Sequence, residues 1–467
     1  MPRAWADDLA LIAERVADAL PILVTFFVEL ERATGLSLNP SKTVLVPLTM
    51  GNWGWFRTCL SAAAPRWLCM QVAGAAKYLG VYVGPAKGRL AWTAPLRKYV
   101  SRCQYWGRSG AGLCASLRVY QVYAASVLSY VGQFEPLPPD FPAWESRACA
   151  ALLPGPRGWT LVPCLQQLPF LGFPQRLTSI SHAVLAANAR VVRFEAAGAL
   201  DVHSRDPRLR TACLASETGS LARLAWLTSW HEFLACHQLA QADAQVWHTL
   251  GARHSLPPLP SIRTGWQGRL TKLLRANQDE HAASTHLRRR LDRWELPLLP
   301  GHRLPRAIAL LAHLARVAPP RVWAAQFRLL CNGWRTARRS QQCLGCRLGC
   351  PHGVDSVEHY AACSLVRNLW LTVAAPPLPA GSHALAGFLG LEHHACHPAV
   401  DTVACRDTRL LHAVALYALI NLLNRLRHSR LQQRDLPGAF LALYRDGSPS
   451  PLSGVSPCGP DTVVSSD

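Results

Sequence analysis

Trp5-Ala6-Asp7-Asp8-Leu9-Ala10-Leu11-Ile12 sets two adjacent carboxylates between short apolar runs, and the reading of the chain starts from it. Neighbouring carboxylates repel and raise one another's pKa unless a cation lies between them. The pair therefore points to a divalent ion, and oxygen ligands suit magnesium. Residues 4–6 and 9–12 are expected to form two short strands with the acids at the bend. An acidic turn at a helix start would produce the same dipeptide. Moving outward, residues 13–33 have helical apolar spacing and close at Gly35, a favourable C-cap. Segments 36–47 and 77–84 read as strands, while 51–72, with Trp53, Trp55 and Trp67, gives no clear reading.

After that helix comes Thr34-Gly35-Leu36-Ser37-Leu38-Asn39-Pro40-Ser41-Lys42-Thr43, and then Lys77-Tyr78-Leu79-Gly80. Taken in order, these elements resemble the C-terminal half of a non-LTR (LINE-type) retrotransposon reverse transcriptase across residues 4–135, with Trp5 where that family carries Tyr or Phe. The resemblance implies nucleotidyl transfer by two metal ions. It places Asp7 at the second of the family's metal-binding acids, with Asp8 beside it as a catalytic and magnesium-binding residue. Lys42 falls where a cation would act near the phosphates, although an exposed loop lysine reads equally well, and Tyr78, Leu79 and Gly80 match the turn that holds the primer end. In the family a first aspartate and the fingers lie upstream. Only six residues precede Asp7 here, none of them acidic, so this chain alone is expected not to polymerise, and magnesium matters only where the palm is completed.

A second constellation is Cys343-Leu344-Gly345-Cys346, then His359 and Cys363, a C-x2-C-x12-H-x3-C spacing. Three thiolates and an imidazole make a closed tetrahedral set, so zinc here would be structural. The first pair is expected on a knuckle turn helped by Gly345, and His359 and Cys363 on one helical turn beginning near Ser356. Cys350 and His352 are spare donors, and Cys350 can replace one ligand. The resemblance agrees, since the family carries a Cys-Cys-His-Cys cluster downstream of its thumb. His393, His394, Cys396, His397 and Cys405 match no ligand spacing and read as surface loop residues.

The chain has 49 Lys and Arg against 28 Asp and Glu, a net charge of +21, which favours a polyanionic partner, RNA or DNA. A GC-biased composition rich in Arg, Ala, Leu and Pro would raise the charge too. The basic residues crowd between 263 and 339, and Arg288, Arg289, Arg290, Arg335, Arg338 and Arg339 are the nucleic-acid-contact candidates. Trp266, Trp294, Trp323 and Trp334, interleaved with them, read as core residues rather than stacking platforms. No apolar run reaches the length of a membrane span. The 16 cysteines form no disulfide framework, so an intracellular, reducing compartment is expected, nucleus or cytoplasm undecided.

The fold class expected is α+β: an incomplete reverse-transcriptase palm over 1–87, thumb helices over 88–135, a basic helical connector over 143–335, a zinc module over 336–372, a C-terminal helical region over 373–445 and a disordered tail over 446–467. The boundary after 135 rests on the proline run Pro136-Leu137-Pro138-Pro139-Asp140-Phe141-Pro142. Helices are expected at 92–106, 113–131, 143–152, 177–197, 219–250, 264–295, 303–330 and 406–430.

Overall fold

The computed structural model describes residues 2–5, 8–13, 15–48, 54–156, 158–188, 266–276, 281–294, 296–351, 353–373, 375–392, 403–428 and 433–448. These residues are mostly helical, with six short strands in three two-stranded pairs. No described helix is long and apolar enough to cross a membrane. The chain divides into two compact units. One gathers Met1–Ser101, Tyr123–Trp144 and Ser179–Asn277, and the other Arg102–Val122, Glu145–Thr178 and Gln278–Asp467.

In the first unit, β1 (Pro2–Trp5) and β2 (Asp8–Leu11) pair antiparallel with Trp5 opposite Asp8, so a hairpin forms where expected but Asp8 opens its second strand rather than lying in the bend. The helix Val16–Thr34 follows and ends on Gly35 in the left-handed region, whose N–H bonds Glu31 O. Leu20 is its one fully buried residue, and it packs with Leu60, Ala64, Trp67 and Met70. The segment with no clear reading folds as the helix Gly54–Ala63, a 3-10 turn Pro65–Trp67 and β4 (Gln71–Val72), which pairs in parallel with β3 (Val44–Leu45). Strand is confined to 44–45 within the expected 36–47 because Asn39 caps a 3-10 turn at Pro40–Lys42, its Oδ1 accepting the Lys42 N–H at 3.3 Å.

β5 (Ala76–Tyr78) and β6 (Val81–Val83) form a hairpin whose two linking residues, Leu79 (φ 46°) and Gly80 (φ 89°), both have positive φ. Such a tight turn matches strand twist but strains a leucine. Tyr130 holds it, donating its hydroxyl to Leu79 O at 2.7 Å, while the same ring lies 3.3 Å from where a Cβ on Gly80 would stand.

The second unit is built on the helices His281–Leu291, Pro300–Val317, Pro320–Leu330, Val403–His428 and Leu436–Gly447. Trp323 is fully buried among them, stacked on Phe173 at 4.4 Å and Phe327 at 5.1 Å, with its Nε1 bonding Leu311 O at 2.9 Å. The single helix expected over 303–330 is two. Pro319 and Pro320 stand at the N-cap and first position of the second, where neither can continue the preceding turn. The helix expected over 113–131 is continuous but carries a π turn at Tyr120–Ala125 between Gly112–Val119 and Ser126–Val131. The helix expected over 219–250 lies outside the described residues, as does nearly all of the tail, although 446–447 close the Leu436–Gly447 helix.

Candidate metal centre

Residues 344–355 form a small hairpin closed by the Gly345–Val354 bridge, with Cys346 N donating to Gly353 O at 2.8 Å and Asp355 N to Leu344 O at 2.9 Å. Ser356 then caps the helix Val357–Ala362, its Oγ accepting the His359 N–H at 3.1 Å. That cap sets His359 in the first turn and leaves Cys363 at the C-cap. Cys346, His359 and Cys363 thus converge, each offering a ligand atom within 4.8 Å of the others. Gly353 makes the approach possible, since a Cβ there would fall 2.1 Å from His359 Nε2. That nitrogen is buried and has no hydrogen-bond partner among the described residues.

The tight turn lies one step later than the Gly345 knuckle expected. Cys346 Sγ accepts the backbone N–H groups of Leu348 and Cys350, with Gly349 at φ 87° between them. The hydrogen bond from Cys363, helped by these N–H groups and opposed by burial, pulls the Cys346 thiol down to about 6, while the same contact and burial push Cys363 up. A buried imidazole nitrogen with no hydrogen-bond partner among the described residues, facing two close sulfurs, fits a borderline-soft divalent cation such as zinc. Cys343 is exposed and stands outside the group of three, whereas Cys350 is half-buried beside Cys346.

A polar knot supports the hairpin. Asp355, 1% exposed, accepts from Tyr360 Oη at 2.8 Å and from Ala337 N at 3.0 Å, and its carboxylate lies 3.4 Å from Arg347 Nε and 3.5 Å from Arg427 Nη2. Burial, with the Asp355 charge beside it, pushes the Tyr360 phenol well up, so it stays a donor. Nothing in the sequence near Asp355 announces this role, because its partners come from positions 337, 347, 360 and 427.

Asp7 lies outside the described residues, and of Asp8 only the backbone is described, in β2. Lys42 is exposed on its 3-10 turn, and Tyr78, Leu79 and Gly80 form the β5–β6 tip. The structure does not bring these residues and the cysteine group into one unit. Arg288, Arg289, Arg335 and Arg338 are exposed, Arg339 half-buried and Arg290 buried. Trp294, Trp323 and Trp334 are buried, as core residues should be, while the side chain of Trp266 lies outside what is described. His393, His394, Cys396, His397, His352 and the side chain of Cys405 are outside what is described. Compared with protein-family models, with curated proteins and with solved structures, the chain matches none.

Proposed function

We propose that this chain is the C-terminal part of a LINE-type reverse transcriptase that binds nucleic acid through a zinc-stabilised basic region and does not polymerise alone. Cys346, His359 and Cys363 would hold the zinc, with Cys350 or Cys343 as the fourth donor. Bound zinc would act as a cross-link, tying the 344–355 hairpin to the helix Val357–Ala362. The observation that carries the reading is this soft-donor group beside a run of arginines. Among the described residues Arg288, Arg289, Arg335 and Arg339 have no carboxylate partner. Such cations release counterions when they meet phosphates.

A second reading, a zinc-stabilised nucleic-acid-binding protein with no polymerase role, requires only the soft-donor group and the exposed arginines, both found among the described residues. The test starts with zinc content by elemental mass spectrometry and RNA affinity across a salt series, before and after chelation. We expect one zinc per chain, affinity that falls steeply with salt, and weaker binding once zinc is gone. Zinc-free protein that binds as well as the loaded form would remove the cysteine group from the account. Primer extension with magnesium then separates the two readings if the chain is supplied with the missing upstream segment: restored synthesis lost in Asp7→Ala supports the first.

A further inference from the structure

Among the described residues, Arg290 is a buried cation with no carboxylate partner. It is 8% exposed, its Nη1 is enclosed with no hydrogen-bond partner, and no carboxylate pairs with it among the described residues. Buried guanidinium groups are ordinarily paired, because desolvation of an unpaired charge is strongly unfavourable. Its neighbours increase the charge. Arg339 and Arg293 stand close enough to oppose its protonated form, in addition to burial. The described acids on these segments are engaged elsewhere: Asp292 lies 3.9 Å from Arg303, Glu358 3.5 Å from Arg338, and Asp355 serves Arg347 and Arg427, while Glu295 lies outside the described residues.

The scaffold around this charge is fixed. Arg328 donates to Pro154 O at 2.6 Å and Gly333 O at 2.8 Å and lies 5.1 Å over the Trp159 ring. His286 Nε2 is 3.0 Å from Trp159 O, so the 154–159 loop is pinned from two sides. Gly158 (φ 66°) comes so close to Arg290 that a Cβ there would lie 3.3 Å from Nη2. Arg293 is exposed and Arg339 half-buried, and both remain available.

We propose that Arg290, Arg293 and Arg339 form a phosphate-binding cradle for the backbone of a nucleic acid, with Arg293 and Arg339 making the contacts and buried Arg290 supplying charge behind them. The source of the phosphate rests on the nucleic-acid reading above; the cradle itself does not. Guanidinium groups suit phosphate oxygens in geometry as well as charge. An unneutralised cluster is destabilising when empty and is relieved by an anion.

The test uses the full, zinc-loaded chain in a labelled-RNA titration across a salt series and in thermal unfolding with and without inorganic phosphate. Arg293→Gln and Arg339→Gln should each weaken RNA binding and reduce the slope of log K against log salt by about 0.7 to 0.9. Arg445→Gln, exposed on another helix, serves as the control. Arg290→Met should weaken binding while raising the unfolding midpoint of the free protein, a combination that a structural arginine would not give. Unchanged RNA affinity in both glutamine variants, or a lowered midpoint in Arg290→Met, overturns the cradle. If the wild type ignores RNA but phosphate raises its midpoint in an Arg290-dependent way, the cradle stands and the nucleic-acid reading falls. No response to RNA or phosphate overturns both.

Discussion

The N-terminal segment 16–72 and the segment 334–372 hold themselves together by different means. In the first, the helix Val16–Thr34 fully buries only Leu20, while Ile22 is 70% and Phe26 50% exposed. Its stability comes from one modest apolar cluster around Leu60 and Trp67, with Phe27 edge-on to Trp67 at 5.9 Å. The second segment is made of short elements that bury Trp334, Tyr360 and Trp370. It also gathers sulfur and nitrogen donors at one point and ties its hairpin with the Asp355 knot. Apolar clusters degrade gradually as residues are removed, whereas a ligand set or a buried polar knot fails when one member is lost. The two segments should therefore respond very differently to single substitutions.

The largest effect expected is at the donor group. Cys363→Ser should abolish zinc retention and open 344–363 to hydrogen exchange, because structural zinc sites contribute on the order of 10 kcal/mol to small modules. Exchange within 16–72 should stay at its wild-type rate. Paired Cys343→Ser and Cys350→Ser variants sharpen the same experiment: the one that loses zinc is the fourth ligand. Retention of zinc by Cys363→Ser would break the contrast at its root.

Next in size is a pair of tryptophans. Trp334 is 3% exposed and lies against Tyr360 at 5.5 Å, so Trp334→Ala should cost about 3–5 kcal/mol in denaturant unfolding. Trp55 is 50% exposed, and Trp55→Ala should stay within about 0.5 kcal/mol. Equal costs would mean that the N-terminal segment is packed as tightly as the other.

Long periodic stretches were legible before any coordinates. The helix closing at Gly35, the Asp-Asp hairpin and the Val403–His428 helix fall close to where spacing puts them. What failed was local chemistry overriding pattern. Asn39 and Pro40 turn a strand-like run into a 3-10 cap, and Pro319-Pro320 divides one apolar stripe into two helices. At the metal centre the residue types and spacing revealed Cys346, His359 and Cys363. The turn that presents them depends on Gly349 and Gly353 rather than Gly345. The Asp355 knot had no sequence signal, because its partners are scattered along the chain. Charge density marked the arginine run but could not show that Arg290 is buried while its neighbours are exposed.

A smaller effect than that at Trp334 lies at the β5–β6 tip, where one hydrogen bond does what four contacts do around Asp355. Leu79 occupies a backbone region that favours glycine, and the Tyr130 hydroxyl on its carbonyl opposes relaxation. The bond is solvent-exposed, so Tyr130→Phe should cost about 0.5–1.5 kcal/mol and should act locally. Amide exchange at Val81 and Val83 would quicken while that of the Leu90–Gly107 helix would not. Leu79→Gly in the same background should restore protection, because glycine adopts the turn without strain. If Tyr130→Phe leaves the tip as protected as before, the ring packing on Gly80 holds the turn and the hydroxyl is incidental.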